Sequence, residues 1–228
     1  MCGRTSLFAP PAVVRERFDA EPTRDLEPRY NVAPGQDHPV VRNDDPDIVR
    51  FPTWGLLPQW RDDPSSGHVN ARAETLADKP SFREAYAERR CLVLADGFYD
   101  WKETPTGKQP YRIERADREP FAIAGLWEPS DGGTASDAGT FTVVTTDPND
   151  VVAPIHHRMP VILSPDEESR WLGESDADAL ADLLDPYPAT KLRAYPVSAA
   201  INDPENDGPE LIEEVPAEED VQTGLDEF

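Results

Sequence analysis

The sequence predicts a single α+β domain, built on a mostly antiparallel, barrel-like β-sheet with helices at its periphery. Three observations carry this. Segments with strand character dominate the chain, and short turn-rich stretches separate them. The helical segments are few and short. The 228 residues suit one large domain or two small ones, and neither an internal repeat nor a dividing linker is present.

Taken in order, PAVVRERF follows two prolines and reads as a short helix, with Val14 and Phe18 on one face. HPVVR and IVRFPTWG read as strands around the turn-rich NDDPD. SFREAYAERR opens a helix through capping-box spacing, Ser81 with Glu84. The strands RCLVLADGFYDW, QPYRIER and FAIAGLWE follow, separated by TPTGK and ADREP, both hairpin-like. PSDGGTASDAGT is low-complexity and is expected to be a flexible surface loop. FTVVTTD is another strand. SPDEESRWL starts a helix by the same Ser-x-x-Glu logic, with Pro165 in its first position, and DADALADLL extends or follows it. LRAYPVS is the last strand. No Lys or Arg follows Arg193. The domain is therefore expected over residues 1–214, with 215–228 an acidic, disordered tail.

The net charge is -23, from 22 basic and 45 acidic residues. The only lysines are Lys79, Lys102, Lys108 and Lys191. Acidic excess with scarce lysine is the composition of a protein adapted to molar salt, where self-repulsion is screened within a few ångströms. The alternative is an ordinary acidic protein. Acidity argues against nucleic-acid partners. In very salty solvent that argument weakens, and contact with DNA then rests on local arginines and on non-ionic or covalent chemistry. No long apolar run and no signal pattern is present, so no membrane span is expected and the cytoplasm is the expected location.

The two cysteines, Cys2 and Cys91, make neither a disulfide framework nor a CxxC pair. Cys91 lies in an apolar run and reads as a small core residue. Cys2 lies directly behind the initiator methionine, in no such run. Removal of Met1 would give it a free α-amine and a thiol on one residue. Their reference pKa values are roughly 7.7–8.0 and 8.5, so both are partly nucleophilic near neutrality. This 1,2-aminothiol condenses with aldehydes, the amine forming a Schiff base and the sulfur closing a thiazolidine. The same terminus could serve N-terminal-nucleophile hydrolysis, or the cysteine could be accidental at a frayed end.

Further motifs follow in series: RYNVAPG, WGLLPQW, NARAET, ADGFYDWKE, VVTTD, APIHHRMPVIL, YPVSAAIN and PELI. With the opening MCGR, this series resembles the SOS response-associated peptidase family, the abasic-site processing proteins, over nearly the whole chain except the acidic tail. The resemblance implies binding of single-stranded DNA that contains an abasic site. It also implies trapping of the ring-opened aldehyde by Cys2 as a thiazolidine, after autoproteolytic or aminopeptidase release of Met1.

It implies roles for other residues too. Asn70 matches the family asparagine beside the cysteine, and its amide can both donate and accept. His156 matches the family histidine, suited to proton transfer near neutrality. His157 is assigned no role. The family commonly carries glutamate between two aromatics, whereas this chain has Asp100 in YDW. Aspartate is one methylene shorter, so Glu103 is the competing acid. Arg4, Arg72 and Arg158 match positions that contact phosphates. Pro34, Trp60 and Thr145 match positions that line the DNA groove. Trp60 could stack on a base or lie in the core. The family's second aromatic after this tryptophan is replaced by Arg61, suited to phosphate or cation–π contact. Two adjacent histidines without a further Cys or His cluster make poor metal geometry. No metal, no cofactor and no membrane partner is expected, and the protein is expected to be a monomer. A thiol peptidase acting on proteins and a non-covalent reader of modified bases are the competing functions.

Overall fold

The computed structural model describes residues 2–60, 67–105, 107–130 and 138–217. Along the chain the strands are β1 (Thr5–Leu7), β2 (Glu21–Pro22), β3 (Arg29–Val32), β4 (Val40–Arg42), β5 (Asp45–Arg50), β6 (Thr53–Trp54), β7 (Asn70–Arg72), β8 (Arg90–Ala95), β9 (Gly97–Thr104), β10 (Gly107–Arg115), β11 (Phe121–Glu128), β12 (Thr140–Thr146), β13 (Met159–Pro160), β14 (Ile162–Leu163) and β15 (Leu192–Pro196). The α-helices are α1 (Pro11–Phe18), α2 (Arg83–Glu88), α3 (Pro165–Gly173) and α4 (Ala177–Ala181).

These strands make two sheets. One runs β15-β10-β9-β1-β3, and the other follows the path β13-β12-β11-β8-β4-β5-β2, with β14 on β11 and with β6 and β7 on β12. Pairing is antiparallel except for β2 with β5 and β6 and β7 with β12. The α+β class therefore holds, but both sheets are open at their ends and neither closes into a barrel.

Strand alternation explains the layers. On β8, Leu92 and Leu94 face a core shared with Val14, Phe82 and Trp171 of the helical side. Cys91, Val93 and Ala95 face a second core shared with Phe98 and Ile113 of the other sheet. The larger sheet is thus covered by helices on one face and by the smaller sheet on the other, and β8 is buried at every position. Each large side chain so buried is worth about 1.5–3 kcal/mol. Cys91 is a core residue, as expected, and burial pushes its thiol pKa up.

The stretch RCLVLADGFYDW is two strands, not one. The chain leaves the larger sheet at Ala95 and enters the smaller at Gly97. Asp96 holds this corner by accepting from the Ser6 hydroxyl at 2.6 Å and from the Phe8 and Ala9 N–H groups at 2.6 and 3.1 Å. Gly97 leaves room for Arg112 there, because a Cβ would lie 2.4 Å from the buried guanidinium carbon and would have to displace it. ADREP, expected as a hairpin, instead carries the chain back between sheets: β10 pairs with β9 and β15, and β11 with β8, β12 and β14. TPTGK does join a hairpin, with Gly107 level with Thr104.

The Ser164–Glu167 capping box forms, with Pro165 in the first turn. The Ser81–Glu84 box does not. Helix α2 starts one turn residue later with Phe82 at its N-cap, and Glu84 pairs with Arg89 at 3.0 Å. Most of the low-complexity loop (131–137) and the tail beyond residue 217 lie outside the described residues. At residue 215 the chain is still tied in, as the Val215 N–H donates to Pro196 O at 3.0 Å. No helix is long and apolar enough to cross a membrane among the described residues.

Candidate active site

From Cys2 onward the first residues are held in place and not frayed. Strand β1 lies between β3 and β9, with Thr5 paired to both Val32 and Phe98. The ladder continues outward, since the Tyr99 N–H donates to Arg4 O at 3.0 Å. This alignment draws the first residues toward Asp100. Cys2 is 0% exposed, packed in the core between the sheets, and its Sγ lies 3.8 Å from Arg4 O. Its thiol is pushed up to about 12, first by burial and then by the Asp100 carboxylate.

Asp100 comes from β9 and is 2% exposed. Its Oδ1 accepts from the Trp101 N–H at 3.0 Å, and its Oδ2 lies 3.6 Å from His156 Nδ1. His156 Nδ1 faces two further groups, the Arg158 N–H at 3.1 Å and Arg158 O at 3.3 Å. In the neutral tautomer with the proton on Nε2, Nδ1 accepts from that N–H. Once protonated it can donate to the Arg158 carbonyl or to Asp100. Burial lowers the His156 pKa, and the Asp100 charge opposes this in part. The His157 ring lies 4.2 Å away, centroid to centroid. Glu103, the competing acid, is exposed at the hairpin end and pairs with Lys108 at 2.9 Å.

Asn70 opens β7, which lies parallel to β12 with Asn70 opposite Val143 and Arg72 opposite Thr145. Its Oδ1 is buried and accepts no hydrogen bond among the described residues. Arg72 is exposed, whereas Thr145 is buried with its hydroxyl 3.4 Å from Ala71 O. Arg158 is only 7% exposed. Its guanidinium makes a two-pronged pair with Glu74 at 2.8 and 3.0 Å, meets Asp147 at 3.0 Å and donates to Thr145 O at 2.5 Å. Arg4 donates to Gly3 O and to Asn202 O at 2.9 and 3.2 Å, and burial lowers its pKa. Pro34 sits half-buried in a turn. Trp60 is 61% exposed, which settles its place at the surface and not in the core. Arg61 lies outside the described residues.

A cleft of about 690 Å³ opens on this constellation, lined by Asp100, Trp101, Glu103, His156, His157 and Asn202 among others. Asp100 and His156 are thus brought together at its wall. Three neighbours were not singled out from the sequence: Glu74, Trp101 and Asn202. Their signal was present, because each lies inside a quoted motif, but no residue chemistry separated them from motif filler. Among the described residues no group of three or more His, Cys, Asp and Glu side chains is placed to hold a metal ion. The buried thiol, the carboxylate and the imidazole make a site where a sulfur nucleophile and proton carriers adjoin an open cavity.

The profile of the family described as SOS response associated peptidase (SRAP) matches residues 1–204. The abasic site processing protein YoqW of Bacillus subtilis is 42% identical over 222 residues, covering 93% of this chain and 99% of that one. YedK of Escherichia coli, of the same description, is 32% identical and covers 94% and 100%. HMCES of Gallus gallus, again an abasic site processing protein, is 33% identical and covers 93% and 77%. A crystal structure of a protein from Bacteroides thetaiotaomicron superposes with a TM-score of 0.83 at 29% identity, over 94% of this chain and 100% of that one.

Proposed function

The chain belongs to the SOS response associated peptidase family, and from that premise we propose that it processes abasic sites in single-stranded DNA by covalent capture. The observation that carries this reading is the burial of Cys2 beside Asp100, behind the cleft that His156 lines. Abasic site processing is what the names of the relatives describe.

Release of Met1 frees the Cys2 amine. That amine adds to the aldehyde carbon of the ring-opened sugar, and the carbinolamine loses its hydroxyl as water to leave an iminium. The Cys2 sulfur then adds to the same carbon. The C–S bond closes the five-membered ring, the iminium electron pair returns to nitrogen, and the thiol proton leaves. One water is lost in all. Held up to about 12, the thiol stays protonated at neutral pH. The iminium cation reverses that balance, because a positive charge within a few ångströms favours the thiolate. Formation of the Schiff base therefore favours activation of the sulfur. Asp100 and His156 stand where they can take the thiol proton and deliver one to the departing hydroxyl. Asn70, with its unmet buried Oδ1, suits a sugar hydroxyl. The exposed Arg72 and the exposed Trp60 suit phosphate and base contacts.

The acidic composition fits a protein that works in concentrated salt, in the cytoplasm with its DNA. No metal or cofactor enters these steps. Protein lacking Met1, mixed with an oligonucleotide that carries an aldehydic abasic site, is expected to give an SDS-stable adduct. Its intact mass should equal protein plus DNA minus one water. Retention of Met1 in the adduct, or a Cys2→Ala variant that crosslinks as stably as the parent, would defeat the proposal.

A further inference from the structure

Two motifs, RYNVAPG and YPVSAAIN, have no part in the capture steps. The structure joins them. Asn202 ends the 3-10 turn Ala199–Asn202 and lines the same cleft as Asp100 and His156. Its loop is fixed from β3. The Asn31 amide donates to the carbonyls of Ile201, Asp203 and Asn206 at 3.2, 2.9 and 2.9 Å. Asp207 accepts from the Tyr30 and Asn31 N–H groups at 2.6 and 3.0 Å and pairs with Arg29.

Trp101 sets the orientation of the Asn202 amide. An indole N–H can only donate, and Trp101 Nε1 lies 2.7 Å from Asn202 Oδ1. The amide oxygen is therefore the atom facing the indole, which leaves the NH2 group to the cleft. Among the described residues that NH2 donates to nothing. Arg4 completes the arrangement, since its Nη2 donates to Asn202 O at 3.2 Å and, among the described residues, its buried Nε has no hydrogen-bond partner. The Arg4 guanidinium is thus tied to the residue whose amide lines the cleft together with Asp100 and Glu103. Paired donors, one of them cationic, recognise an anionic oxygen.

We propose that Asn202 is a substrate-binding residue whose NH2 donates to a phosphate oxygen of the bound strand beside the lesion. The assignment rests on the reading that this cleft takes abasic DNA. Trp101 is its positioning residue. The NH2 group selects for an acceptor at this spot.

The test uses a single-stranded oligonucleotide carrying a tetrahydrofuran abasic analogue, which has no aldehyde, with binding read by fluorescence anisotropy. Asn202→Asp keeps an oxygen for Trp101 and replaces the NH2 with a charged oxygen. It is expected to weaken binding roughly tenfold to a hundredfold, and by more than Asn202→Ala, with the gap between them narrowing as salt rises. Thermal melts of both variants report folding, and Asn202→Ala carries the test if Asn202→Asp melts early. Parent-like binding by both variants would overturn the assignment. So would Asn202→Asp binding better than Asn202→Ala, because a sugar hydroxyl can donate to the new carboxylate and a phosphate cannot. The analogue separates this inference from capture. A parent protein that binds the analogue but makes no adduct with aldehydic DNA would end the capture reading and leave the Asn202 result standing.

Discussion

Asp100 is almost fully buried, and each of its oxygens faces a specific neighbour. One oxygen takes the Trp101 N–H, the other faces His156, and the Cys2 thiol beside it stays neutral. Glu103 has none of this, being exposed and paired with Lys108. Asp100→Asn should therefore slow adduct formation by roughly 10²–10⁴ and leave affinity for the tetrahydrofuran probe nearly unchanged. Glu103→Gln should leave the rate near that of the parent. A crippled Glu103→Gln with an active Asp100→Asn would move the acid to Glu103. The pH dependence follows from His156. Its pKa is lowered, so the imidazole is neutral and able to accept a proton at pH 7. It loses that ability as pH falls through the lowered value. The single-turnover rate should then show an acid limb from His156 below the ordinary histidine value of about 6.5, separate from the limb of the Cys2 amine at roughly 7.7–8.0, and a lower limb that survives in His156→Gln would contradict the assignment. At this scale the sequence was informative where a motif named a residue type. It was silent on Cys2 burial, because a chain start carries no apolar run and its order comes from β3 and β9, far along the sequence.

Elements bring these residues together through two joints. One is the Asp96–Gly97 corner, where the chain passes between sheets so that β8 feeds the core and β9 feeds the site. The motif ADGF was legible as conforming to a family series, but its corner was not. An uninterrupted strand pattern spans it, and the bend is made by Ser6, Phe8 and Ala9 from a distant segment. ADREP was misread for the same reason, since turn chemistry says that a chain reverses and not which sheet it rejoins. Gly97→Ala should push the Arg112 guanidinium off its contacts with Ser6, Asp96 and Glu114. The expected cost is at least about 1–3 kcal/mol, read as a lower denaturant midpoint, and an unchanged midpoint would show that Arg112 can move freely. The second joint is Glu74 with Arg158. It ties NARAET to the segment whose backbone holds His156 Nδ1. Glu74→Gln weakens this pair while Asp147 and Thr145 O still satisfy part of the guanidinium. The expected result is slower capture with a displaced acid limb, and a parent-like pH profile would reduce the pair to a structural tie.

The whole molecule carries a net charge of -23, and a polyanion is its proposed partner. Long-range attraction cannot bring the two together, so affinity has to come from short contacts and from the covalent step. The structure reduces the available cations further than the sequence suggested, because Arg158 already meets Glu74 and Asp147. Among the described residues, Arg4 and Arg72 are left as the arginines of the site that form no ion pair. Each neutralised phosphate of a single strand adds about 0.7 to the slope of log affinity against log salt. Two such contacts give a slope of roughly 1.4, shallow for a DNA-binding protein. Salt also screens repulsion among the surface carboxylates and between them and the DNA, which offsets part of that loss. Raising potassium chloride from moderate to molar concentration should therefore raise the thermal midpoint of the free protein while the yield of adduct falls only a few-fold. The two readings separate the causes. A midpoint that does not rise would remove the argument for adaptation to salt, and a steep fall in adduct with a rising midpoint would show that more phosphates are held by charge than Arg4 and Arg72 can account for.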